Sequence, residues 1–197
     1  MSDWIELEKE YYFQTQNRLP VILVRGNGTM VYDDQDREYI DFVSGIASVS
    51  LGHSHPEVIS AVKEQSDSLV QASNYFYTVP QLQLAKLLCE TSGLDRAFFC
   101  NSGAEAVEGA IKLARKWGKV KRSGAFEIIV ADGGFHGRTI TTSSASSSAA
   151  QRDPFKPLLP GFIHVPYDDV DAVKEATNSQ TAGVLLEPIQ GEGGVNV

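Results

Sequence analysis

At 197 residues the chain is long enough to bury a core, and its 42% apolar and 21% charged residues are those of an ordinary globular protein without low-complexity tracts. A formal net charge of −8, from 25 acidic against 17 basic residues, argues against a nucleic-acid partner. The nearest basic cluster, Arg115, Lys116, Lys119, Lys121 and Arg122, reads as a solvated helix end, where cations suit the macrodipole. The sequence has no apolar run of about 18 residues and no signal-peptide core, so a cytoplasmic protein with no membrane partner is expected. Cys89 and Cys100 each sit in an apolar run and read as buried, reduced thiols.

Along the chain, Asp3 to about Gln16 reads as a short amphipathic helix. VILVRG (21–26) and MVYDD (30–34) follow as strands, and the polar turn Asp33-Asp34-Gln35-Asp36-Arg37 leads into EYIDF (38–42). SGIASVSLGHSHP (44–56) is loop-like. Pro56 is placed to open a helix whose apolar positions Val58, Ile59, Val62 and Leu69 keep helical spacing. A second helix runs from Pro80 through Leu84, Leu87 and Leu88 to a stop at Gly93.

From there strands and helices alternate. AFFC (97–100) reads as a strand, AEAVEGAIKLARKWG (104–118) as a helix and FEIIVAD (126–132) as a strand. FIHVP (162–166), the short helix DVDAVKEAT (169–177) and the strand GVLLEP (183–188) complete the series. Continuous apolar strands alternating with helices predict an α/β fold with a mostly parallel sheet flanked by helices. Residues 1–50 form a smaller α+β segment ahead of it. Ligands of such sheets gather beyond the carboxyl ends of the strands.

Three strand-end loops carry chemistry. Asn101-Ser102-Gly103-Ala104 hands a strand to a helix, so helix N–H groups, a hydroxyl and a bare Gly103 backbone face outward, as an anion site requires. Ser102 capping the helix, with Glu105 completing a capping box, explains the same residues. Gly133-Gly134-Phe135-His136-Gly137-Arg138-Thr139 holds an aromatic between glycines, suited to stacking on a flat ring, and Arg138 offers a fork matched to a carboxylate. The competing account puts Phe135 at the sheet edge and Arg138 on the surface. His136, with no visible partner, reads as a supporting hydrogen-bond residue. Glu187-Pro188-Ile189-Gln190-Gly191-Glu192-Gly193-Gly194 carries two carboxylates without a histidine companion, so a metal site is not expected.

Together the motifs GIASVSLGHSHPEV, SNYFYT (73–78), FFCNSGAEAVEGAIKLARKW (98–117), GGFHGRT and EPIQGEGGV resemble the class III, ornithine-type aminotransferases. The wording, with FKPLLPGFIHVPYDD, is closest to the acetylornithine branch; ornithine, succinylornithine, 4-aminobutyrate and aminoadipate-semialdehyde types are the alternatives. The resemblance implies the fold type I of pyridoxal-phosphate-dependent transferases. Residues 1–50 would contribute to a small domain and 51–197 would form the front part of the large cofactor-binding domain, incomplete at its C-terminal side.

It also implies roles. Ser102, Gly103 and Ala104 would bind the phosphate of pyridoxal 5′-phosphate, Phe135 would stack on its ring, and His136 and Glu187 would lie beside it. Arg138 would hold a substrate carboxylate, Glu192 would act as a gating acid, and Asn74 and Tyr75 would line the site. The Schiff-base lysine, and so the catalytic residue, is placed after residue 197; Lys112 and Lys116 are not at its position. The implied reaction moves the δ-amino group of N-acetylornithine to 2-oxoglutarate, in arginine biosynthesis, within a homodimer. A non-catalytic half acting as a binding or assembly module is the reading from another class.

Overall fold

Residues 3–197 are described in a computed structural model, and they fall into two units, Met1–Val79 and Pro80–Val197, each with its own sheet. In the first unit helix α1 (Asp3–Tyr11) precedes strands β1 (Leu23–Asn27), β2 (Met30–Asp33) and β3 (Glu38–Ile40), ordered β1-β2-β3 and antiparallel throughout. Asn27 pairs with Met30, so Gly28 and Thr29 make a two-residue turn, and Gly28 takes the positive φ of 56° that this turn needs at its first position.

The second turn is closed by a buried carboxylate. Asp33, 1% exposed, accepts bonds from the Gln35 and Arg37 N–H groups (both 2.9 Å), the Arg37 Nε (2.6 Å) and the Tyr39 hydroxyl (2.9 Å). Burial alone would raise the Asp33 pKa; the Arg37 and Gln35 donors and the Tyr39 hydroxyl outweigh it and hold the carboxyl well below the ordinary range. The glycine-rich segment after β3 is loop-like, as its composition suggests. Its single turn α2 (Ser44–Ala47) runs through left-handed φ values of 50°, 61°, 57° and 61°. Helix α3 (Pro56–Ser68) opens on Pro56, whose missing N–H costs nothing in a first turn.

In the second unit helix α4 (Val79–Ser92) stops at Gly93, which takes a φ of 73°. Helix α5 (Gly103–Lys121), strand β4 (Glu127–Ala131), helix α6 (Ile140–Ala145) and the single turns α7 (Ala149–Arg152) and Asp153–Phe155 follow. Strand β5 (Phe162–Val165), helix α8 (Val170–Ala176) and strand β6 (Thr181–Leu185) complete it. The sheet order is β5-β4-β6, parallel at both seams, and central β4 is buried on both faces. Its core gathers Ala125, Ile128, Val130, Ala145 and Ala182. Helix α5 lies on this sheet through Ile111 and Gly118; a Cβ built on Gly118 would stand 2.1 Å from the Ala125 carbonyl oxygen, so the helix backbone touches the strand approach directly. No helix among the described residues is long and apolar enough to cross a membrane.

The structure corrects three expectations and adds one helix. Ala97–Cys100 forms no strand and pairs with none among the described residues; Phe98, 73% exposed, lies along α5 opposite Gly109. An apolar run supplies a strand's side chains, but a ladder also needs a neighbouring edge. Cys100 is exposed and Cys89 only half-buried. Arg115 is not a solvated helix-end charge. Its guanidinium donates to the Phe126 carbonyl (3.1 Å) and the Pro160 carbonyl (2.7 Å) and lies 5.4 Å from the Phe162 ring centroid. Helix α6, built from Ile-Thr-Thr-Ser-Ser-Ala, was unreadable as a helix because its residues favour other backbones.

Two substitutions test these contacts. Gly118→Ala should destabilise the second unit by about 2–3 kcal/mol in urea unfolding at unchanged m-value, because the added methyl collides with backbone. Asp33 carries a lowered pKa, so its stabilising effect is complete above the unfolded value of 3.8 and is lost as pH falls through the folded value. Amides of Gln35 and Arg37 should therefore keep their hydrogen-exchange protection at pH 4 in the native protein and lose it only as pH falls well below the unfolded value of 3.8. In Asp33→Asn they should be weakly protected at every pH.

Candidate functional site

Helix α5 begins with the NSGA turn. Ser102 is its N-cap, with extended φ/ψ of −154° and 161°, and its Oγ accepts from the Glu105 N–H at 3.2 Å. The Glu105 carboxylate folds back further than a capping box requires and takes the Asn101 N–H (2.6 Å) and Nδ2 (3.0 Å). The first helical bond runs from Ala106 N to Ser102 O (3.1 Å), so the N–H groups of Gly103 and Ala104 have no carbonyl one turn back. Ser102 and Gly103 are exposed, and no atom lies within 4 Å of the place a Gly103 side chain would fill. Capping and anion binding are thus compatible: the cap uses one N–H and leaves those of Gly103 and Ala104 without a helical partner.

The loop after β4 lies against that turn. Gly137, at φ 130°, would bring a Cβ to 3.0 Å from the Ala104 Cβ and 2.7 Å from the Thr142 Oγ1. Thr139 then caps α6: its Oγ1 accepts from the Thr142 N–H (3.2 Å), its own N–H donates to the Thr142 Oγ1 (2.9 Å), and its hydroxyl donates to Glu108 Oε1 on α5 (2.6 Å). Between these anchors Phe135 is half-buried, and the exposed Arg138 places its guanidinium carbon 6.0 Å from the Phe135 ring centroid. No carboxylate among the described residues forms an ion pair with Arg138.

The loop after β6 ties to the same place. Glu187 Oε1 accepts the Phe135 N–H at 2.7 Å, and its Oε2 accepts the Gly191 N–H at 3.4 Å. Glu187 also borders a cleft of about 220 Å³ at the carboxyl ends of the three strands, lined by Ala131, Pro166, Tyr167 and Leu186. Glu192 is exposed in the following glycine turn.

His136 turns inward. It is 6% exposed, its N–H donates to the Ser146 Oγ (3.3 Å), and its Nε2 has no partner among the described residues. Burial first, and the neighbouring His164 in addition, push its pKa down against the opposing pull of Glu187, so the ring is neutral at neutral pH. Asn74 and Tyr75 belong to the first unit, where both are exposed in a turn that Ser73 opens at φ 65°. No cluster of three or more metal-ligating side chains occurs among the described residues.

The second unit therefore brings together Ser102, Gly103, Ala104, Phe135, His136, Arg138 and Glu187 around three neighbouring loops. The residues that join the loops were not singled out from sequence: Glu108, Thr139, Ser147, which accepts the Gly133 N–H (2.6 Å), and Gln190. Only Thr139, a hydroxyl three residues before another ahead of a helix, offered a readable signal.

Comparison with known proteins gives the family. The chain is 53% identical to an acetylornithine aminotransferase of Methanocaldococcus jannaschii over 197 residues, and 50% identical to one of Myxococcus xanthus over 194 residues. These matches cover 100% and 98% of this chain but 50% and 48% of the relatives, so the chain spans about half their length. Among solved structures, an ornithine aminotransferase from Toxoplasma gondii superposes with a TM-score of 0.94 at 38% identity, covering 99% of this chain and 47% of that one. An acetylornithine aminotransferase from Elizabethkingia anophelis gives 0.80 at 35% identity, covering 98% and 46%. The model of the class-III aminotransferases, a pyridoxal-phosphate-dependent family, matches residues 11–197, and the chain belongs to that family.

Proposed function

We propose that residues 1–197 form the cofactor-holding part of an acetylornithine-type aminotransferase that moves the δ-amino group of N-acetylornithine to 2-oxoglutarate. The observation that carries this is the meeting of three loops in one unit: an open helix N-terminus, a glycine-flanked aromatic with an unpaired arginine, and the loop whose Glu187 holds that aromatic's N–H. The residues present fit pyridoxal 5′-phosphate. Its phosphate is a dianion, and the open face of Gly103 with the free N–H groups of α5 suits one. When bound, the cofactor supplies the electron sink for amino transfer.

The chain's own residues do the rest. The N–H groups of Gly103 and Ala104 and the Ser102 hydroxyl hold the phosphate, and Phe135 covers one face of the ring. Glu187 fixes the Phe135 backbone, and the neutral His136 fills the space behind it. Arg138 takes a carboxylate in two parallel hydrogen bonds, which both N-acetylornithine and 2-oxoglutarate can offer. Glu192 sits on a glycine turn with the freedom to pair with an arginine supplied after residue 197, as the family resemblance places it. The lysine that attaches the cofactor is placed there as well. By the family resemblance, Asn74 and Tyr75 are further candidates for substrate contact and the intact protein is a homodimer.

Two measurements on the intact protein test this reading. Ser102→Ala should weaken binding of pyridoxamine 5′-phosphate about tenfold in equilibrium dialysis and leave unphosphorylated pyridoxamine unchanged. Equal losses for the two would remove the turn from phosphate binding. Arg138→Ala should raise KM for both N-acetylornithine and 2-oxoglutarate by about a hundredfold with a much smaller change in kcat, and lysine at this position should restore only part of it. An unchanged KM for either substrate would take Arg138 out of its assigned role.

A further inference from the structure

We infer that Gln190 is a positioning residue for the cofactor ring: it locks the loop that presents Phe135, while leaving the phosphate turn untouched. The inference rests on the cofactor reading above and deepens it.

Gln190 is among the most deeply buried polar side chains of the second unit, 1% exposed in a loop whose neighbours are mostly exposed. Its amide bonds in both directions. Nε2 donates to the Asp132 carbonyl at 2.6 Å, and Oε1 accepts from Asn196 Nδ2 at 3.0 Å. Its backbone is clamped as well, through Gln190 N to Asn196 O (2.9 Å) and Asn196 N to Gln190 O (3.1 Å). A rigid arm thus reaches from the β6 loop to the last residue before the β4 loop begins.

The next residue shows how closely the two loops meet. Gly133, at φ 79°, would place a Cβ 2.7 Å from Gln190 Oε1; a side chain on Gly193 would stand 2.8 Å from the Gly133 carbonyl oxygen. The amide of Gln190 therefore fills the space that a residue other than glycine would need at position 133. Two residues further on, the Phe135 N–H is held by Glu187. The carbonyl at 132 and the N–H at 135 are thus both fixed by one short stretch, Glu187 to Gln190. Those two points bracket Gly133 and Gly134 and fix where the Phe135 residue begins. None of these bonds reaches Ser102, Gly103 or Ala104.

That separation makes the role testable against a general structural one. Gln190→Met keeps the volume and removes both hydrogen bonds. In the intact protein it should weaken pyridoxamine 5′-phosphate about tenfold and inorganic phosphate by less than about twofold. Asn196→Ala frees the Oε1 end and the Gly193 carbonyl, which the same Nδ2 reaches at 3.2 Å, but it acts at an exposed residue, so it keeps the fold where the methionine variant fails. It should give the same split at about threefold. Equal loss of both ligands in both variants, or no loss of either, overturns the positioning role while the wild-type affinities still support the cofactor reading. A wild-type protein that binds neither ligand overturns that reading, and this inference with it.

Discussion

The hydrogen bond from the Phe135 N–H to Glu187 Oε1, 2.7 Å long, joins residues 52 positions apart, and the candidate site depends on it. Parallel pairing of β4 with β6 puts both carboxyl ends on one edge of the sheet, so the loops that follow must leave side by side. A hydrogen bond to a carboxylate contributes about 1.5–3 kcal/mol, enough to hold a glycine-rich loop that has little packing of its own. Gly133, Gly134 and Gly137 let the loop bend; Glu187 and Gln190 decide where it stops.

The phosphate-side geometry has a different origin. Helix α5 is placed at its far end, where Gly118 lets the helix backbone meet the Ala125 carbonyl. Gly103 is 15 residues earlier, about 22 Å along the axis. Contact at Gly118 and Ile111 sets the direction of the helix, and Ala104 against Gly137 sets its start. Arg115 adds a lateral strut by binding the carbonyls of Phe126 and Pro160 on the approaches to β4 and β5. Packing of this kind transmits position with little slack, which a site assembled from three loops requires.

How much of this could be read in advance follows from the same physics. Helix α5 was legible because its apolar residues keep a helical period and its N-cap is a serine. The β-rich opening was legible as strands because the polar Asp33–Arg37 run marks a turn between apolar segments; its antiparallel pairing was seen only in the structure. The three loops were legible as interruptions between strand and helix. Ala97–Cys100 misled because a strand is a relation between two segments and composition describes one. Helix α6 was hidden because the Thr139–Thr142 capping box and burial hold it, against its own propensity. Arg115 and Gln190 were hidden because a polar residue in a sequence gives no sign of which carbonyl it will reach. The residues proposed to touch a ligand left motifs, whereas of those that join the loops only Thr139 left a signal.

A chain of net charge −8 that places Glu105 and Glu108 in the first turns of α5 is an unpromising host for a dianion, since two carboxylates would repel it. Both acids are already engaged. Glu105 takes the N–H and side-chain amide of Asn101, and Glu108 takes the Thr139 hydroxyl. Each carboxylate is thereby drawn back toward a protein donor. Glu105 leaves the N–H groups of Gly103 and Ala104 alone, and Glu108 anchors the loop that carries Arg138. The acids near the helix start thus serve as tethers, and the partial positive charge of the helix end is left to favour an anion at the turn.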